Sequence, residues 1–102
     1  MHQLFSYGTL QDPKIQITLF GKLLFGSPDR LQGYEKQTIV LEGTTYPVLV
    51  DSSDKTTKPI DGICYTVTDQ ELKACDFYEG PAYRRVKTVL ESGKEAWVYL
   101  GV

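Results

Sequence analysis

Apolar positions along this chain change period several times, and the changes mark its elements. Gln3-Leu4-Phe5-Ser6 reads as a short extended run that stops at Tyr7-Gly8. From Pro13 to Leu24 the spacing becomes near-helical, with Ile15, Leu19, Lys22 and Leu23 in step and Ile17 and Phe20 beside them. This predicts a helix with Asp12 as N-cap. Pro13 fits the first helical position, where a missing N–H costs nothing. Gly26-Ser27-Pro28 predicts a loop.

Beyond it the chain turns mostly extended. Lys36–Leu41, Tyr46–Val50 and Ile60–Val67 are apolar or β-branched runs, and Pro47 marks a strand start or an edge. Ser52 to Pro59 is polar and reads as a surface loop. Tyr83–Leu90 and Glu95–Leu100 predict a hairpin joined across Ser92-Gly93. One helix interrupts the strands. Thr68 and Glu71 are spaced for a reciprocal cap, and Gly80-Pro81 is a stop signal, so this helix covers about Asp69 to Tyr78. Most strands are neighbours in sequence, which favours α+β. The expectation is a single domain over residues 1–102. It is a small mixed, mostly antiparallel β-barrel of five to six strands with two short helices, closure sparing it exposed edges.

Composition narrows the function. The 102 residues suffice for one real core. The net charge is -2, and no basic cluster exceeds Arg84-Arg85, which argues against nucleic acid as a partner. No run approaches the roughly 20 apolar residues of a membrane span. No basic region followed by an apolar core opens the chain, so no secretory signal is expected. Cys64 and Cys75 read as reduced thiols of a cytoplasmic protein rather than a disulfide framework. His2 is the one histidine, at an end expected to fray. A histidine-based zinc site is therefore not expected, and a Ser-His-Asp or Cys-His site would need His2 well placed.

Glu79 is the most informative residue. Leu72, Cys75 and Glu79 lie within about 60° of one another around the helix, so Glu79 extends its apolar stripe. It also stands at the negative end of the helix dipole, three residues after Asp76. If enclosed, its carboxyl is pushed up by desolvation, dipole and Asp76 together, toward the range of a general acid/base. The alternative is a side chain that turns out to water or pairs with Arg84 or Arg85.

Tyr7-Gly8-Thr9-Leu10 is the second candidate. A strand ending at a glycine turn before a helix exposes several backbone N–H groups at one point, enough to hold a carboxylate or an oxyanion. Glycine allows a close approach there. The alternative is an ordinary turn, with Thr9 bonded locally and Leu10 in the core. Seven tyrosines, at 7, 34, 46, 65, 78, 83 and 99, cannot be sorted between core and pocket by composition. Arg84 and Arg85 point to opposite faces of a strand, so one of them either binds a substrate carboxylate or belongs to a solvated face or an ion pair with the helix. Asp76 reads as a cap or orienting group, and Trp97 as a packing residue.

Four blocks in order resemble the γ-glutamylcyclotransferase-like family, which includes AIG2-like proteins and γ-glutamylamine cyclotransferases. They are Leu4–Leu10, Gly43–Leu49, Asp61–Tyr65, and Asp76–Gly80 with Tyr83 and Arg85. The resemblance implies a compact mixed barrel with flanking helices. It implies that Tyr7, Gly8, Thr9 and Leu10 bind the γ-glutamyl or oxoproline part through backbone groups, and that Glu79 is the catalytic acid/base. The implied reaction is an intramolecular aminolysis of a small-molecule γ-glutamyl amine or peptide. It calls for no metal and no cofactor, because the nucleophile belongs to the substrate. Ser6 stands where many members carry an apolar residue, and the loops that wall the pocket are short, which bears on substrate identity. The competing expectation is a non-catalytic small-ligand or partner-binding domain on the same scaffold.

Overall fold

The computed structural model describes residues 1–51 and 58–101. In chain order the elements are β1 (His2–Ser6), a 3₁₀ turn (Thr9–Gln11), α1 (Pro13–Phe20), β2 (Gly26–Leu31), β3 (Tyr34–Leu41) and β4 (Thr44–Asp51). Then follow β5 (Ile60–Val67), α2 (Asp69–Glu79), β6 (Tyr83–Val89) and β7 (Glu95–Gly101).

The α+β class and its two helices are as expected, but the barrel is not. The strands form an open five-stranded sheet, β2-β5-β1-β7-β6, and a separate β3–β4 ribbon. All pairings are antiparallel except β1 with β7. The reason lies in the central strands. A closed barrel sorts alternate residues inside and outside, yet Leu4-Phe5, Cys64-Tyr65 and Val98-Tyr99 are consecutive pairs buried on both sides of the sheet. One face packs Phe5, Leu31, Cys64, Val98 and Leu100 with Leu49 of the ribbon. The other packs Leu4, Tyr65, Val67 and Tyr99 with Leu10 and with Leu72 and Cys75 of α2. With the ribbon on one face and the helices on the other, the core is completed without closing the sheet, and β2 and β6 remain its edges. The seven described strands also exceed the expected five to six.

Three local differences have simple causes. Gly26-Ser27-Pro28 is the start of β2, not a loop, and Pro28 sits opposite Ile63. Proline is tolerated there because β2 is an edge strand whose outward N–H has no ladder partner. Helix α1 stops at Phe20, four residues early, where Gly21 adopts φ 73° and closes the C-terminus. The next residues are held by Gln16, buried at 3% exposure, whose amide donates to the Leu10 carbonyl (2.8 Å) and accepts from the Leu24 N–H (2.9 Å). His2 is not a loose end: it opens β1 opposite Val67 of β5, and its ring meets Asp69.

Other expectations match. Asp12 accepts from the Lys14 N–H, and Thr68 and Glu71 form the reciprocal cap. The β6–β7 hairpin forms, Val89 opposite Glu95. Both cysteines are free and buried. Most of the Ser52-to-Pro59 segment lies outside the described residues. Glu42 and Gly43, with φ 50° and 79°, make the two-residue turn of the ribbon. Among the described residues no helix is long and apolar enough to cross a membrane.

Candidate active site

The geometry of α2 follows from its two ends. The cap at Thr68 starts it, with hydrogen bonds of 3.1 Å from the Glu71 N–H and 2.8 Å from the Thr68 N–H to the Glu71 carboxylate. Leu72 and Cys75 turn its apolar stripe onto the sheet. Glu79 continues that stripe as the last helical residue and is half-buried. Gly80, at φ 75°, then reverses the chain. Burial pushes the Glu79 carboxyl up to about 7, and no hydrogen bond or ion pair reaches it among the described residues.

Asp76 takes a different part from the one expected of it. It does not cap, and it does not raise Glu79. Arg85 donates to both Asp76 oxygens, at 2.8 and 3.0 Å, and the Tyr99 hydroxyl donates to Oδ1 at 2.7 Å. The guanidinium beside it holds the Asp76 carboxyl below the usual range. Arg85 thus pairs with the helix but not with Glu79, while Arg84 is exposed. Trp97, largely buried, packs under the Arg85 guanidinium, 4.1 Å from ring centre to Cζ.

The turn after β1 is built by side chains as well as backbone. The Tyr7 hydroxyl donates to the Tyr99 carbonyl at 2.8 Å, and burial, then the nearby Glu79, raise its pKa. The Gln11 side chain donates to the Ser6 carbonyl at 2.7 Å. Gly62 lets β1 approach, since a Cβ there would stand 2.4 Å from both the Phe5 ring and the Ser6 carbonyl oxygen. Leu10 is buried in the helix-side core, and exposed Thr9 bonds the Tyr78 hydroxyl at 2.7 Å. The Thr9 and Leu10 amides open the 3₁₀ turn, where N–H groups lack partners within the helix. At Gly8 a Cβ would meet only Pro47, at an ordinary 3.6 Å, so packing within the protein does not demand glycine there.

These parts border one cavity of about 480 Å³, a size that suits a small molecule. Tyr7 to Leu10 form one wall and Tyr78-Glu79 another, with Pro81 to Tyr83 beside them. The ribbon closes a third side with Leu41, Glu42, Thr44, Tyr46 and Pro47. Glu79 and the turn residues Tyr7, Gly8, Thr9 and Leu10 therefore line the same space, whereas Asp76, Arg84 and Arg85 do not. The tyrosines sort as composition could not: 7, 46, 78, 83 and 99 face the cavity, while Tyr65 packs under the helices and Tyr34, in the ribbon itself, packs against the core between ribbon and sheet. Tyr83 donates to the Pro47 carbonyl at 3.1 Å, tying β6 to the ribbon, and burial, then Glu79, raise its phenol. Glu42 and Leu41 gave no signal in sequence; the Tyr46-Pro47 pair did, within the second resembling block. His2 lies at the opposite end of α2. Among the described residues no group of three His, Cys, Asp or Glu side chains is arranged to hold a metal ion.

Comparisons with known proteins bear on this arrangement. The family model described as "Gamma-glutamyl cyclotransferase, AIG2-like" matches residues 4–101. "Protein AIG2 C" of Arabidopsis thaliana is 33% identical over 87 residues, covering 83% of this chain and 49% of that protein. "AIG2-like protein C" of the same organism is 33% identical over 88 residues, covering 86% of this chain and 48% of that protein. The chain thus spans about half the length of these relatives. An Arabidopsis thaliana solution structure superposes with a TM-score of 0.80 at 27% identity, covering 99% of this chain and 62% of that one. A structure named "Gamma-glutamyl cyclotransferase" shares the fold, with a TM-score of 0.72 at 17% identity, covering 99% of this chain and 66% of that one.

Proposed function

The chain belongs to the γ-glutamyl cyclotransferase, AIG2-like family, and from that premise we propose that it releases 5-oxoproline and a free amine or amino acid from a γ-glutamyl amide. The observation that carries this reading is a carboxyl held near 7 by burial, in one cavity with the turn that follows the first strand. The substrate lies with its γ-glutamyl carbonyl and carboxylate against the amides of Tyr7 to Leu10. Its own α-amine attacks the γ-carbonyl carbon, and a new C–N bond closes the five-membered lactam. The turn amides stabilise the tetrahedral oxyanion. Glu79 takes a proton from the α-ammonium and then supplies one to the departing nitrogen as the old C–N bond breaks. A carboxyl near 7 is populated in both forms at neutral pH, which suits one group to both transfers. Folding the substrate into its ring-closing shape supplies much of the acceleration.

A purely binding domain is less well supported, because a ligand pocket has no need of a desolvated carboxyl whose ionisation destabilises the fold. Assaying 5-oxoproline release from γ-glutamyl amines, γ-glutamyl dipeptides and glutathione, with E79Q alongside, tests the reading. Release that disappears in E79Q is expected, and the best substrate identifies the leaving amine. Release undiminished in E79Q removes Glu79 from its role. Folded protein with no release from any member favours the binding domain.

A further inference from the structure

We propose that Asp76, clamped between Arg85 and Tyr99, is the positioning residue that holds Glu79 against the turn of Tyr7 to Leu10. This rests on the reading of Glu79 as the acid/base. Apart from the hydrogen bond between the Tyr78 hydroxyl and exposed Thr9, the last turn of α2 has little else to hold it. Cys75 is fully buried, but Phe77 is 89% exposed and Tyr78 38% exposed, and Gly80 follows at once. Helix ends with unpartnered carbonyls fray, and no basic residue stands in this last turn. Asp76 lies one turn before Glu79, about 60° around the helix. Its carboxylate is tied to β6 through two bonds from Arg85 and to β7 through the Tyr99 hydroxyl.

Tyr99 makes this more than a surface ion pair. Its hydroxyl reaches Asp76 while its carbonyl accepts from the Tyr7 hydroxyl. One residue of the central sheet thus sets the helix end and the binding turn in register. Arg85 is itself located by the Trp97 ring beneath it. The ionisable groups facing Glu79 are Cys75 on its own helix, Tyr7 on the turn and Tyr83 on β6, all with pKa values raised by burial. Tyr46, Tyr78, Tyr99 and Glu42 line the same cavity.

The test follows the Glu79 carboxyl by NMR titration in wild type, D76A, D76N and Y99F, together with 5-oxoproline kinetics. In D76A the helix end loses its ties to β6 and β7, keeping only the exposed Tyr78–Thr9 bond, and Glu79 turns toward water. Its midpoint is expected to fall from about 7 toward the ordinary 4.5. Turnover should fall about tenfold or more with KM little changed, as misplacement of a reacting group does. Asn keeps acceptors for Tyr99 and Arg85, so D76N should retain most of both properties. A folded D76A with wild-type midpoint and wild-type kcat overturns the proposal. Should D76A not fold, Y99F removes one hydroxyl without changing shape, and an unmoved Glu79 midpoint there overturns it equally. Absence of turnover in wild type strikes the acid/base reading instead, while the titration still decides whether Asp76 positions Glu79.

Discussion

Replacing Glu79 with glutamine removes one ionisation and little volume. In the folded protein this carboxyl titrates at about 7, against an ordinary 4.5. Between those values the folded chain keeps a proton that the unfolded chain has lost. Stability therefore falls as pH rises through that window and levels off above 7. The gap corresponds to about 3 kcal/mol. Glutamine has no such term, so the stability advantage of E79Q over wild type should be small at pH 4.5 and approach about 3 kcal/mol at pH 8. Other titrations cancel in the difference. Cys75, whose thiol burial, helped by Glu79, pushes up to about 12, stays neutral in the folded state throughout. Urea unfolding of both proteins at several pH values measures the effect. At an m value of about 1–3 kcal/mol per molar, the midpoints should separate by about one to three molar at pH 8. A difference that stays constant from pH 4.5 to 8 refutes the reasoning, because it assigns the effect to packing rather than to a desolvated charge. The variant should be the more stable and the less active protein, a trade that functional sites commonly make.

The remaining predictions concern activity, packing and the clamp. With a good substrate, kcat/KM should rise with pH to a plateau above about 7, following loss of the Glu79 proton, and E79Q should lose about 10² to 10⁴ in turnover by the 5-oxoproline assay. Gly62→Ala should destabilise by about 1–3 kcal/mol in urea unfolding, because the added Cβ meets a backbone carbonyl that cannot move aside. Arg85→Gln should cost about 1 kcal/mol at neutral pH for a partly exposed pair. Asp76 has a depressed pKa, so the stability the pair contributes is present above the unfolded carboxyl range and lost as pH falls through the folded value. Unfolding of R85Q and wild type at neutral pH and in acid should therefore converge in acid.

Local signals carried the chain a long way. Asp12-Pro13 and Thr68 with Glu71 are satisfied by their immediate neighbours, and the last turn closes through local bonds of Leu90 with Gly93 and Lys94, so helix starts and the last hairpin could be read without the fold, although Ser92 also reaches Asp29. The stripe of Leu72, Cys75 and Glu79 likewise showed which helix face carries the anomalous carboxyl, since a 3.6-residue period needs no tertiary information. The turn at Tyr7 to Leu10 was legible from one glycine between a strand and a helix.

What only the tertiary structure decided are the relations between distant segments. Burial on both faces of β1, β5 and β7 makes an open layered sheet where neighbouring strands suggested a barrel. Edge placement lets Pro28 lie within a strand. The partner of Asp76 is Arg85, nine residues away, and that of Tyr7 is Tyr99, ninety-two away. No periodicity reports such pairings, because they depend on strand order and register. The same order brings the ribbon over the turn, and so sorts tyrosines of identical composition into cavity and core. The sequence alone marks Glu79 as a charge out of place; enclosure by the turn, the ribbon and β6 makes it a carboxyl near 7, because desolvation depends on everything packed around the group.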